Sequence, residues 1–295
     1  MTDDSATDTG LDTQLPRISE PLEDLARLAF DHAEALCAPQ DRCVNYHRFW
    51  SLLRVLDMDG RLPRGGPFLS QNFRDIAPQT GRLRVLLAGA ADTGVPALIL
   101  NTVLDAGLAP ELTVIDRCRT PLSQIGRFSE MCGLQITTEH GPLWDCTETG
   151  FDAVVTHNVM LFNTDGDRKR IYAMAARVLR PGGRLLSIET LCDSFTPRPP
   201  EKTEEMTASF VARMRGKGLP ENELARLGEA AKAFWSRQNR AEVYPEARLR
   251  EHVAGAGLRL RRLDYQADDE PTSPRVLSSP KSRQLRAFVA SERPA

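Results

Sequence analysis

Hydrophobic residues recur in two rhythms along this chain. Leu22, Leu25, Leu28, Ala29, Ala33 and Leu36 follow helical spacing, as do Phe49, Leu52, Leu53 and Leu56 after Tyr46, so two helices are expected at the start. From residue 83, short and nearly unbroken apolar runs alternate with amphipathic stretches. The pattern predicts strand 83–88, helix 94–106, strand 112–116, helix 120–132, strand 134–138, strand 151–156, helix 168–179 and strand 184–189. Strands apolar on both faces, each followed by a helix, imply a parallel sheet covered on both sides, a doubly wound α/β domain. The Gly-x-x-Pro-x-Gly-Gly-Pro run from Gly60 to Pro67 reads as a loop between the two regions.

After the fifth strand the rhythm is interrupted. Thr196-Pro197-Arg198-Pro199-Pro200 leads into a helical stretch, 202–238, broken at Gly216-Lys217-Gly218 and Pro220, which predicts two inserted helices. A helix from 245, a strand 258–265, a polar loop 268–282 and a strand 284–290 complete the chain. The expected plan is a disordered, acidic tail (1–18), a helical extension or lid (19–79), and an α/β domain (80–295) carrying an insertion at about 193–240.

Composition narrows the function classes. At 295 residues with 41% hydrophobic content, the chain has material for one large domain and an appendage. A formal net charge of -2 argues against binding nucleic acid by bulk electrostatics. The six cysteines, Cys37, Cys43, Cys118, Cys132, Cys146 and Cys192, contain no C-x-x-C pair, so no metal site and no disulfide framework is expected. No apolar run approaches the ~18 residues of a spanning helix, and Met1-Thr2-Asp3-Asp4 lacks the order of a signal peptide. A cytoplasmic protein with reduced thiols is expected, with no membrane or nucleic-acid partner. Homo-oligomer formation stays open.

Chemistry concentrates around Arg84 to Gly94. The apolar run Val85 to Ala88 breaks into small residues and then into Val95-Pro96-Ala97-Leu98, a strand, a tight turn and a helix. Small residues let a ligand approach the backbone, and free N–H groups at a helix start favour electron-rich groups, so the shape is that of a nucleotide site. A second strand, Leu112-Thr113-Val114-Ile115, ends in Asp116, whose carboxylate is placed to accept both hydrogens of a ribose diol. Cys43 to Trp50 is dense in ligand-binding side chains. It reads either as an aromatic seam packing the first helices onto the domain, or as a lid with Tyr46, His47 and Arg48 facing inward.

Three segments together carry a resemblance: Val85 to Gly94, Val114-Ile115-Asp116, and Arg177-Val178-Leu179-Arg180-Pro181-Gly182-Gly183-Arg184-Leu185. Over about residues 80 to 292 the chain resembles the class I S-adenosylmethionine-dependent methyltransferases. The resemblance implies a Rossmann-like, mostly parallel seven-stranded sheet whose last strand runs antiparallel, with S-adenosyl-L-methionine as cofactor. It implies a cofactor cradle at Gly89, Ala90, Ala91, Asp92 and Gly94. In that cradle the Gly89 carbonyl would take the ammonium and Asp92 would contact the methionine moiety. Asp116 would hold the ribose, Arg117 would border the adenine, and Glu139 and His140, in the turn after strand three, would read its edge. Thr156, His157 and Asn158 would lie where the methyl group points. The sequence departs from the family's pattern at Leu87, at the place of a strand-end acid, and at Ala91, where a glycine is usual; the last glycine also comes one residue late.

Methyl transfer from a sulfonium is an in-line displacement, so alignment is the enzyme's main task, and a base is needed only for a protonated acceptor. His157 is the best-placed base candidate, His47 a second, and Tyr46 a third group at the site; a histidine closing the sheet edge is the structural alternative for His157. A helical prelude and an insertion would enclose a small molecule. Trp50 and Phe162 would wall the pocket, Asn158 would line it, and Arg42 or Arg48 would bind an acceptor carboxylate, which favours an amino-acid-like or carboxylated acceptor. Asn158 is followed by Val159-Met160-Leu161 and not by Pro-Pro-Tyr, which counts against base or amide nitrogens. Two alternatives stand beside this reading: an NAD(P)-dependent oxidoreductase, and a non-catalytic cofactor-binding member of the same fold.

Overall fold

The computed structural model describes residues 18–38, 43–56, 58, 65–194, 199–237, 243–266 and 284–294. Its seven strands are β1 (Arg82–Ala88), β2 (Ala109–Asp116), β3 (Ile136–His140), β4 (Phe151–His157), β5 (Leu179–Cys192), β6 (Arg259–Gln266) and β7 (Gln284–Glu292). They form one sheet in the order β3-β2-β1-β4-β5-β7-β6. The first five pair in parallel, whereas β7 runs antiparallel to both β5 and β6. The apolar runs of β1 and β4 belong to the middle of this sheet, where both faces must be covered.

The helices are α1 (Leu22–Leu36), α2 (Val44–Val55), α3 (Gly66–Asp75), α4 (Gly94–Asp105), α5 (Arg119–Cys132), α6 (Asp165–Val178), α7 (Pro200–Arg215), α8 (Glu221–Arg237) and α9 (Glu246–Gly255). Helices α3, α4 and α5 cover one face, packing Leu69, Phe73, Ile99 and Phe128 on Val85, Leu87, Val155 and Ile188. Helices α6 and α9 cover the other, with Ile171, Tyr172 and Leu249 against Leu86, Val154 and Leu185. A third core joins α2 to the inserted α7 and α8 through Phe49, Leu53, Phe210, Phe234 and Trp235. The two helical additions therefore pack on each other as one cap, and Phe49 sits against Phe210 and Phe234 at ring separations of 5.4 and 5.9 Å.

Among the boundaries that differ from the sequence reading, four have a clear local cause. Gly66-Pro67 begins α3 instead of closing a loop, because proline fits the first turn of a helix, where no N–H partner is required. β3 starts two residues late because Gly133, at φ 62°, ends α5 in a left-handed turn and the Leu134 N–H still bonds back to the Ser129 carbonyl. α6 starts three residues early, at Asp165, capped by the Thr164 hydroxyl, which accepts the Asp167 N–H. Arg180-Pro181-Gly182-Gly183 lies inside β5 as a bulge, where the pairing with β4 slips between Phe151 and Ala153. A Cβ on Gly183 would come within 3.0 Å of the carbonyl oxygens of Phe151, Asp152 and Arg180, so the bulge requires glycine there.

Residues 1–17 of the expected tail and the loop 268–282 lie outside the described residues. Ile18 is tied to Asn101 of α4 by two hydrogen bonds of 2.9 and 3.1 Å. Among the described residues no helix is long and apolar enough to cross a membrane.

Candidate active site

The carboxyl ends of β1 and β2 meet at the turn that follows Ala88. Gly89 has φ 86°, and its N–H bonds to the Ile115 carbonyl at 2.9 Å, which ties the turn to β2. A side chain there is opposed twice: the left-handed backbone costs an L-residue about 1–2 kcal/mol, and a Cβ would stand 2.8 Å from Val159 Cγ2. Gly89→Ala should therefore lose about 2 kcal/mol in urea denaturation. In the Gly89→Ala/Val159→Ala double variant the losses should be less than additive, because the clash goes and the backbone cost stays; strict additivity would refute the contact.

Asp116 ends β2 with its carboxylate buried against this turn. One oxygen accepts the Ala90 N–H at 2.8 Å and the other the Cys118 N–H at 2.7 Å. Burial pushes the carboxyl above its ordinary range, and the two backbone N–H groups oppose that shift. Each oxygen keeps a lone pair beyond its single backbone donor. Arg117 beside it is exposed, and its carbonyl lies 3.1 Å from His140 Nε2. Glu139 and His140 pair with Ile115 and Asp116 as the last residues of β3, so they close the strand; the turn that follows begins at Gly141.

Asp92 and the start of α4 are held from outside the α/β core. The Gly94 N–H bonds to Asp92 Oδ1 at 2.9 Å, while Asp92 Oδ2 pairs with Arg54 of α2. Arg54 also pairs with Glu20, and the Thr93 hydroxyl donates to Glu20. Side-chain exposures of 6% for Arg54, 10% for Glu20 and 4% for Asp92 make this a buried three-member network. Burial works against the Arg54 charge, but Asp92 and Glu20 hold its pKa above the usual range. The guanidinium lies on the Gly94 backbone: a Cβ there would be 2.9 Å from Cζ. Ala91, the other departure in the turn, presents its carbonyl to His47 Nδ1 at 3.4 Å.

Helix α2 thus supplies His47, Ser51 and Arg54 to the turn, with Ser51 Oγ 3.4 Å from Asp92 Oδ2. These three recur at i, i+4 and i+7, a polar stripe along one side of the helix. That stripe was the available signal for Ser51 and Arg54, which the sequence reading omits together with Glu20. Arg48, one residue from His47, points elsewhere because successive helical positions lie about 100° apart. It pairs with Glu34 at 2.7 Å and lies over the Phe30 ring, so Tyr46, His47 and Arg48 do not face one side together. Arg42 lies outside the described residues.

Tyr46 stacks on Trp50 at 5.3 Å and meets Phe162, from the loop after β4, at 5.8 Å. The cap and the carboxyl edge of the sheet touch at this aromatic contact, where Phe162 is 45% exposed. Thr156, His157 and Asn158 diverge. Thr156 is fully buried, with its hydroxyl 2.9 Å from both Ser187 Oγ and Glu189 Oε1. His157 points to the opposite face, as alternation along a strand dictates. Its Nε2 is buried without a hydrogen-bond partner among the described residues. Burial, helped by the Arg286 charge, pushes its pKa down to about 4, so the ring is neutral at pH 7. Asn158 adopts φ 52° and its Oδ1 accepts from the Thr190 hydroxyl at 3.0 Å.

Neither a protein-family model nor a curated protein matches the sequence. Solved structures are similar to the chain in fold. Geranyl diphosphate methyltransferase in complex with SAM is 13% identical, with 89% of this chain and 95% of that one covered at a TM-score of 0.51. The same enzyme in complex with GPP and sinefungin gives 10% identity, 77% of each chain and a TM-score of 0.50. A provisionally assigned sarcosine dimethylglycine methyltransferase from Galdieria sulphuraria gives 12% identity, 92% and 98% coverage and a TM-score of 0.51. The strand order, the antiparallel seventh strand and these likenesses agree: the chain has the Rossmann-like fold of the class I methyltransferases.

Proposed function

We propose that the protein transfers a methyl group from S-adenosyl-L-methionine to a small-molecule acceptor. The observation that carries this reading is Asp116, a buried carboxylate at the end of β2, aimed at the Gly89–Gly94 turn with lone pairs left over. The two carboxylate oxygens fit the cofactor's ribose, since a diol donates two hydrogens and needs two acceptors close together. The solved structures of similar fold that hold SAM or sinefungin support the same choice. When bound, the cofactor supplies a methyl group on a positively charged sulfur. Asp116 would bind the ribose hydroxyls. Gly89, Ala90, Ala91 and Gly94 would let the backbone approach, and Asp92, fixed by Arg54, would shape the methionine end. Arg117, Glu139 and His140 would border the adenine.

Tyr46, Trp50 and Phe162 would enclose the acceptor and exclude water, in keeping with a small apolar or flat molecule. A carboxylated acceptor loses support at Arg48, which is engaged by Glu34. His157 Nε2, neutral at pH 7, would accept a hydrogen bond from the attacking group and orient it; a pKa near 4 makes it a weak base.

Calorimetry with S-adenosylhomocysteine and with NAD tests the reading. Homocysteine-cofactor binding that weakens about 5- to 150-fold in folded Asp116→Ala, as loss of a charged acceptor worth about 1–3 kcal/mol requires, is the expected result. Binding to NAD alone would end it. One observation favours a non-catalytic member instead: the Arg54 guanidinium packs on the turn itself, at Gly94. Cofactor binding without product across an acceptor panel would select that second reading.

A further inference from the structure

Among the described residues, one group of metal-ligating side chains gathers at the junction of the cap and the sheet. Cys37 follows the last residue of α1, Cys43 precedes the first residue of α2, His47 lies four residues on, and Cys118 precedes α5, two residues past Asp116. One ligand atom from each of Cys37, Cys43, His47 and Cys118 lies within 4.8 Å of all the others. Cys118 Sγ is 3.5 Å from Cys37 Sγ and 3.8 Å from Cys43 Sγ. Cys37, His47 and Cys118 are buried, and Cys43 is half-buried.

We propose that Cys37, Cys43, His47 and Cys118 hold one zinc ion in a closed, structural Cys3His site. Zinc takes four such ligands as a tetrahedron, and Zn–S bonds of about 2.3 Å set the sulfur–sulfur edges at about 3.8 Å. The two sulfur separations already have that size. A disulfide needs sulfurs about 2.05 Å apart, would use only two of the three thiols, and gives the imidazole no role. Packing of cysteine as a small apolar residue accounts for burial, but not for three sulfurs and an imidazole converging on one point. His47 has the outer contact that a zinc-bound histidine uses: Nδ1 faces the Ala91 carbonyl at 3.4 Å, and an N–H there turns the Nε2 lone pair to the sulfurs. Thr120 Oγ1, 3.1 Å from Cys37 Sγ, and the start of α5 offset the negative charge of three thiolates on one dication. The four ligands come from the ends of α1 and α2 and from the loop after β2. The ion would fasten the helical extension to the loop that carries Asp116, and through His47 to the Gly-rich turn.

The spacing Cys-x5-Cys-x3-His, with the fourth ligand after a strand of the core, hides the site from any search for paired C-x-x-C motifs. Elemental analysis of the full chain, purified without chelator from zinc-supplied medium, tests the proposal. About one zinc per chain is expected, together with loss of nearly all of it in Cys43→Ser and Cys118→Ser and full retention in Cys132→Ser. If the serine variants do not fold, cobalt replacement in the unaltered protein gives the second measurement: intense visible bands and a sulfur-to-metal charge-transfer band mark a tetrahedral thiolate site. Zinc-free protein that takes up no cobalt would overturn the proposal, as would a Cys37–Cys118 disulfide in peptide mapping or zinc retained in folded Cys118→Ser.

Discussion

Arg54→Ala should lose about 3–5 kcal/mol of folding stability, because it removes the cation from two buried carboxylates and leaves Glu20 and Asp92 facing each other uncompensated. Exposed ion pairs are worth about 0–1 kcal/mol, so burial decides the size of the effect. Urea denaturation at pH 7 reads the loss. The triple variant Arg54→Met/Glu20→Gln/Asp92→Asn should recover most of the loss, because matched neutral groups leave no unpaired charge behind. A loss below about 1 kcal/mol in the single variant would show that the network is solvated and weak.

The same residues show where the sequence is readable. Strands buried on both faces appear as unbroken apolar runs, so β1, β2, β4 and β5 could be placed before any coordinates, and the acid ending β2 came with them. The antiparallel β7 came from the resemblance, since nothing in Gln284 to Glu292 alone states a direction. What could not be read assembles across the chain. Arg54 meets Asp92 over a separation of 38 residues, and Cys118 meets Cys37 over 81. Both contacts depend on how α1 and α2 seat on the sheet, and local spacing does not encode that. The polar stripe on α2 showed that one face had a partner; only the fold shows that the partner is the Gly-rich turn. Ala91, where a glycine is usual, and Asp92 beside it are the two places that α2 grips, Ala91 through His47 and Asp92 through Arg54 and Ser51.

Glu189 gives the second large effect, and it is a matter of pH. The side chain is fully buried in β5, with Oε1 against Thr156 Oγ1 at 2.9 Å and Oε2 accepting the Met160 N–H at 3.2 Å, so it ties the segment leading to Phe162 onto the sheet. Burial raises its pKa from 4.5 to about 7, against the opposing pull of the Thr156, Met160 and Val159 hydrogen bonds and of the Arg168 charge. Because the folded pKa exceeds the unfolded one, the native state holds a proton that the unfolded chain has released, and stability falls as pH rises between the two values. The contribution is fully present below about pH 4.5 and is lost as pH passes about 7, a total of about 3 kcal/mol at 1.36 kcal/mol per pKa unit. Glu189→Gln mimics the protonated side chain and does not titrate. Its stability relative to the unaltered protein should therefore improve by about 2–3 kcal/mol between pH 5 and pH 8, measured by urea denaturation at each pH. Parallel pH profiles for the two proteins would mean that Glu189 is ionised in the native state at neutral pH, held by Arg168 and the loop amides more strongly than burial opposes it.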